Sequence, residues 1–333
     1  MRIFRYAVIS VLLVCAVMWG TLAIYFSYLP DTIRYFGAVL FPLVSAGVLL
    51  FVRPKRKGIM IFAGVLLIVL FVWFSMVPSN DRNWQPDVAE LPFANIEGDA
   101  ITIHNIRNCD YRSETDYTVH YYDKTFDLNK LSSFDLFLSD WGLGIIVHTL
   151  VSFGFGDGDY LCISIETRKE KGEEYSSVKG FFRQYELIYV VGDERDLIRL
   201  RTNYRQGETV YLYRIQGESL EVIRQIFLDY LKYINRLKQI PEWYNALTGN
   251  CTTQIRGHTR PYAGKVWWDW RILANGYVDE LAYELGVLDH SMSFQELKEQ
   301  SIINSRAQAA DRDPLFSKRI RKGLPGMNSP AKN

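Results

Sequence analysis

The chain is sparing with the residues that build metal sites and disulfide frameworks: 333 residues hold 4 cysteines and 5 histidines. No Cys-x-x-Cys and no His-Glu-x-x-His occurs, and His104, His120, His148, His258 and His290 show no ligand spacing, which argues against a metal site. Excess charge of either sign is missing too. With 38 basic and 37 acidic residues the net charge is +1, so the electrostatic footprint of nucleic-acid binding is absent. There is no internal repeat. Cys15 lies in an apolar run; Cys109, Cys162 and Cys251 lie further on. In an oxidising compartment such an odd set leaves at least one thiol free, and either a Cys109–Cys162 bridge or three free thiols fits.

Charge is scarcest in the first eighty residues. Apolar stretches run over about 4–28, 33–52 and 58–77, each near the ~20 residues that span a bilayer. The first is too long for a secretory signal core, lacks a small-x-small cleavage site, and is followed at once by two more spans. Residues 1–78 therefore read as a three-helix transmembrane anchor. Arg2 and Arg5 precede the first span, and Arg53, Lys55, Arg56 and Lys57 separate the second from the third. Basic flanks stay in the cytoplasm, so the N-terminus is expected inside and everything after Pro78 outside. Trp73, Trp84, Tyr28 and Tyr35 suit the aromatic belts at the interfaces.

Residues 79–98, with Pro and Asp, read as a linker. Residues 99–310 are long enough for one sizeable core. Alternation and β-branched or aromatic content predict strands over 99–106, 117–127, 132–140, 145–153, 160–167, 184–191 and 208–215. Gly-Phe-Gly-Asp-Gly joins the fourth and fifth as a hairpin. The charged stretch 168–180 reads as a flexible surface excursion. Helical periodicity predicts a helix over 218–239, stopped by Pro241, then one from Cys251 and others over 270–285 and 292–304. Residues 311–333, with Pro, Gly, Lys and Arg, read as a disordered tail. The fold class is α+β, an antiparallel sheet with helices packed on it.

Three residues draw the chemical eye. Cys251 follows Pro-Glu-Trp-Tyr-Asn-Ala-Leu-Thr-Gly-Asn, a turn that opens a helix with a thiol at its first position. A helix N-terminus stabilises a thiolate, the nucleophilic form. His148 lies upstream in an apolar strand and could serve as its base. A short loop near 155–158 sets the hairpin register so that His148 falls opposite Glu166 or one step away, where neighbouring Cβ atoms lie about 4.5–5.5 Å apart. A carboxylate there would orient the imidazole; a one-residue slip would undo the pairing. Cys162, Ser164 and Glu166 share one face of that strand, and Leu161, Ile163 and Ile165 share the other. A lone strand histidine is more often a core residue, a lone helix cysteine is usually packing, and Glu166 could pair with Arg168 or Lys169 on the surface; it is their combination that points to catalysis. The backbone N–H of Cys251, with Asn250 and Tyr244 assisting, is the expected oxyanion-stabilising group.

Five runs in order, 106–117, 148–155, 164–170, 185–196 and 244–253 (the last Tyr-Asn-Ala-Leu-Thr-Gly-Asn-Cys-Thr-Thr), resemble the Lnb N-terminal periplasmic domain family over about 90–305. The resemblance implies a permuted papain-like fold of the NlpC/P60 type, shared in arrangement with lecithin:retinol acyltransferase, in which the histidine strand precedes the cysteine helix. It implies a Cys251/His148 site and a lipoprotein transacylase chemistry, in which an acyl chain moves from the glyceryl group of a bacterial lipoprotein to its N-terminal amine. The expected protein is thus a membrane-anchored cysteine acyltransferase, with no cofactor. It would be a multi-pass protein of the bacterial inner membrane with a periplasmic C-terminal domain, acting on lipoprotein or phospholipid. A peptidoglycan amidase or endopeptidase on the same fold, and a non-enzymatic membrane-tethered binding domain, are the rival readings. Cys109 departs from the family, which has an aromatic residue after Arg-Asn.

Overall fold

The computed structural model describes residues 2–156, 158–262 and 268–327. The chain separates into two compact units, residues 1–79 with 175–185, and residues 80–174 with 186–333.

The first unit is built on α1 (Arg2–Tyr25), α2 (Asp31–Phe51) and α3 (Lys55–Ser75), all long and apolar enough to cross a membrane. Ala23, Phe41, Phe62 and Val69 form their shared core. Gly20 admits the Phe41 ring, whose Cε1 would lie 2.7 Å from a Cβ at that position. The stretch 175–185, with α4 (Ser177–Phe181), joins this unit. Phe182 is buried and stacks on Phe26 at 5.4 Å, Gln184 donates to the Phe26 carbonyl at 2.7 Å, and the Arg183 guanidinium lies 4.0 Å from the Trp73 ring centre. The end of the excursion expected over 168–180 is therefore anchored by aromatic packing. Its charged side chains had hidden that role.

The second unit holds an eight-stranded sheet. Its strands are β1 (Phe93–Glu97), β2 (Ala100–Arg107), β5 (Tyr121–Asp127), β6 (Leu131–Asp140), β7 (Val147–Phe155), β8 (Asp159–Arg168), β9 (Glu186–Gly192) and β10 (Thr209–Arg214). β3 (Asp110–Tyr111) and β4 (Tyr117–Thr118) make a separate small hairpin, so the run expected as one strand over 117–127 is divided. The order is β1-β2-β9-β8-β7-β6-β10, with β5 also on β2. All pairs are antiparallel except the single β2–β9 bridge at Arg107 and Gly192. Every residue of β7 is buried, so the strand shows no alternation of buried and exposed positions, and its polar members His148, Thr149 and Ser152 lie inside the fold.

The helices of this unit are α5 (Glu194–Arg199), α6 (Leu220–Gln239), α7 (Cys251–Thr259), α8 (Val278–Glu284), α9 (Phe294–Gln300), α10 (Asn304–Ala309) and α11 (Phe316–Arg321). Ser219 caps α6 by accepting from the Val222 N–H, and one face of the helix buries Ile223, Phe227, Tyr230 and Ile234. The Phe227 ring meets that of Phe153 on β7 at 4.9 Å. Two expectations need correction. The linker 79–98 contains the edge strand β1 and buried Trp84 and Val88. The tail expected to be disordered from 311 instead forms α11, and 328–333 lie outside the described residues. Phe316 and Ile320 join the core of Phe137, Leu150 and Cys162, each contributing roughly 1.5–3 kcal/mol. Arg321 is buried and donates to Glu194 at 2.6 Å and to Asp135 at 2.9 Å. Its charge therefore answers interior carboxylates rather than solvent. Cys109 and Cys162 are buried free thiols, so the alternative of a bridge between them is not taken.

Arg321→Ala removes a cation from between two buried carboxylates and should cost about 3–5 kcal/mol, read as a lowered denaturant midpoint. An unchanged midpoint would mean that α11 does not lock the core.

Candidate active site

The N-terminus of α7 is fixed by a reciprocal cap. The Asn250 Oδ1 accepts from the Thr253 N–H at 2.9 Å, and the Thr253 hydroxyl accepts from the Asn250 N–H at 3.0 Å. This places Cys251 at the first helical position, where its N–H has no partner within the helix. Asn250 is thereby occupied: its Nδ2 donates to the Ala246 carbonyl at 2.9 Å. Asn250 caps the helix start through its Oδ1. Tyr244 is buried at the start of the turn that leads into the helix.

The other half of the site comes from the β7–β8 hairpin. Leu150 pairs with Ser164, and beyond that pair the side chains of His148 and Glu166 reach each other. The His148 Nε2 lies 2.7 Å from the Ser164 hydroxyl and 3.1 Å from the Glu166 Oε1. Ser164 in turn donates to Glu166 at 2.6 Å. The Cys251 thiol lies close enough to His148 for each group to shift the ionisation of the other. The register reading of the hairpin thus corresponds to the contact observed.

Arg201 and Asn275 complete the arrangement. Arg201, in the turn that continues α5, is buried and donates to Glu166 at 2.8 Å and to the Leu197 carbonyl at 2.7 Å. Asn275 is buried and reads the first residue of β7 twice: it accepts from the Val147 N–H at 2.9 Å and donates to the Val147 carbonyl at 2.7 Å. Its Nδ2 also donates to the Thr252 hydroxyl at 2.7 Å and lies 3.9 Å from the Cys251 sulfur. One amide therefore ties the histidine strand to the cysteine helix. Neither residue sits in a local pattern that sequence could flag, because each acts across more than twenty residues of chain.

Electrostatics follow from these contacts. Burial works against charge on His148, yet Glu166 and then Cys251 raise its pKa to about 9. Burial pushes the Cys251 thiol up, but His148 and hydrogen bonds from Thr149 bring it down to about 7. Burial would raise Glu166 as well; His148 and Arg201 hold it well below the usual carboxylate range. The pair is thus disposed as thiolate and imidazolium between about 7 and about 9. By contrast, burial and the nearby Asp196 push the Cys109 thiol up to about 12, and burial drives Cys162 well above its ordinary value. Of the three thiols beyond the apolar helices, Cys251 alone has its pKa lowered, the direction that favours the nucleophilic thiolate.

Residues 117–276 match the family model described as the Lnb N-terminal periplasmic domain. The matched stretch contains His148, Glu166, Arg201, Cys251 and Asn275. No curated protein and no solved structure matches the chain.

Beside the pair lies a cavity of about 310 Å³. Thr149 and Thr252, the chain neighbours of His148 and Cys251, form part of its wall; Leu136, Ile226, Ile255, Leu281 and Val287 form much of the rest.

Alkylation of Cys251 should rise with pH through about 7 and then stay high, since only the thiolate is needed. In Glu166→Gln the imidazolium loses its charged partner, so the His148 pKa falls and the alkylation limb should move up toward an ordinary thiol value near ~8.5. An unshifted limb would remove Glu166 from the relay.

Proposed function

We propose that the protein is a cysteine acyltransferase acting on lipid-borne acyl esters. The observation that carries the reading is the aliphatic cavity walled by the neighbours of a thiolate–imidazolium pair. The Cys251 thiolate attacks the ester carbonyl and forms the C–S bond. The ester C–O bond breaks, and the departing alkoxide takes the proton of the His148 imidazolium. An amine then attacks the thioester, His148 accepts its proton, and the thiolate leaves. Glu166, backed by Arg201, keeps the imidazole oriented through both steps. The leading N–H groups of α7 supply positive potential where the carbonyl oxygen becomes negative.

The acyl donor is a lipoprotein glyceryl ester or a phospholipid, and the acceptor of the leading scheme is the lipoprotein N-terminal amine. A peptidoglycan amidase would need an open polar groove, whereas aliphatic side chains wall this cavity. The family description favours a periplasmic domain. We place the anchor in the bacterial inner membrane with the N-terminus in the cytoplasm, from the basic residues at 53–57. A C-terminal alkaline phosphatase fusion should be active; activity from a cytoplasmic reporter alone would reverse that orientation.

The acyl reading predicts a chain-length dependence. Each methylene that enters the cavity adds about 0.8 kcal/mol, roughly fourfold in kcat/KM, until the space is full. Ala282→Trp, on the cavity wall, should abolish that increment for long chains and leave acetyl esters nearly unaffected. Mass measurement of the Cys251 thioester across a series of esters provides the rates. A flat chain-length profile in the unmodified protein would contradict the acyl reading.

A further inference from the structure

The loop between β6 and β7 runs directly into His148 and presents apolar side chains to solvent. Leu143 is 69% exposed, Ile145 54% and Ile146 50%. The loop is shaped rather than slack: the Asp140 carboxylate accepts from the Gly142 N–H at 2.9 Å and the Gly144 N–H at 3.1 Å. A second strip, ending near Asn275, carries Trp268 at 63% exposed and Trp270 at 56%. The two strips are joined. The Gly276 N–H donates to the Ile145 carbonyl at 2.9 Å, and a Cβ on Gly276 would lie 2.0 Å from the Gly144 carbonyl oxygen. Trp270 meets Tyr277 with ring centres 5.4 Å apart. Together they make an exposed apolar and aromatic collar attached to the two residues, Val147 and Asn275, that hold the active pair.

We infer that this collar is a lipid-binding surface whose occupant is the boundary between headgroups and acyl chains of a bilayer. Contiguous exposed apolar patches mark interaction sites. Tryptophan and tyrosine, apolar in body and polar at the tip, favour that boundary layer. Charge agrees with the choice of occupant. Arg260 lines the adjoining cavity, a cation near the collar that suits lipid phosphates. Arg271 within the second strip is held by Asp269 at 3.1 Å and Glu284 at 2.7 Å, so it brings no unanswered charge among the tryptophans. The chain also carries three helices long and apolar enough to cross a membrane. The inference stands on these side chains and does not require Cys251 to react.

The test uses the full chain in phospholipid nanodiscs, with Cys15→Ala and Cys251→Ala to leave only the buried Cys109 and Cys162 thiols. Leu143→Cys and Trp268→Cys are labelled separately with an environment-sensitive NBD fluorophore. Insertion predicts blue-shifted emission and roughly a twofold loss of intensity with 5-doxyl lipids, with little quenching by aqueous iodide. Emission that iodide quenches and doxyl lipids do not would overturn the inference. A blue shift without doxyl quenching would also overturn it, since a protein partner would then cover the collar. Because Cys251 is absent from the sample, this outcome is independent of whether acyl transfer occurs.

Discussion

One ladder position governs the chemistry of this domain. Antiparallel pairing of β7 with β8, with Leu150 opposite Ser164, brings His148 to Glu166, and a single-residue slip would send the imidazole to the opposite face of the sheet. The register is held from several sides. β7 is buried along its whole length, Asn275 grips both backbone groups of Val147, and Ser164 fills the space between imidazole and carboxylate. A buried imidazolium would be costly alone. Here it is matched by Glu166 on one side and the Cys251 thiolate on the other, and Arg201 keeps Glu166 ionised. The four groups form an alternating row of charges in which each stabilises the next. Removing one changes the protonation of its neighbours as well as the geometry.

Around that row, the fold joins features that a lipid-modifying enzyme requires. The helix that carries the thiol also contributes Thr252, Ile255 and Thr259 to the cavity wall. The loop that delivers the histidine is also the most exposed apolar stretch beside the site. Polar backbone fixes both: Asp140 shapes the loop, and the Asn250–Thr253 cap shapes the helix start. The reactive pair is therefore supported by hydrogen bonds while its surroundings are left apolar.

Much of this was legible in the sequence where local pattern and local structure coincide. Gly-Phe-Gly-Asp-Gly marked the hairpin, and the helical period with Pro241 marked α6. The turn before Cys251 marked the start of α7. What escaped was nonlocal. Arg201 and Asn275 matter through partners far along the chain. The basic tail read as solvated because Asp135 and Glu194, which answer Arg321, lie more than a hundred residues away. Charge likewise masked the aromatic anchoring of 175–185, where Phe182 and Arg183 pack on Phe26 and Trp73.

The central claim is that the thiolate of Cys251 moves acyl groups on lipid-borne substrates. The most direct measurement is mass spectrometry of lipoprotein N-termini from bacterial cells that express either the unmodified protein or Cys251→Ala. The account predicts lipoproteins with an acylated N-terminal amine and a glyceryl group short of one acyl chain, present with the unmodified protein and absent with the variant. Identical lipoprotein termini in both, with both proteins folded and in the membrane, would contradict it.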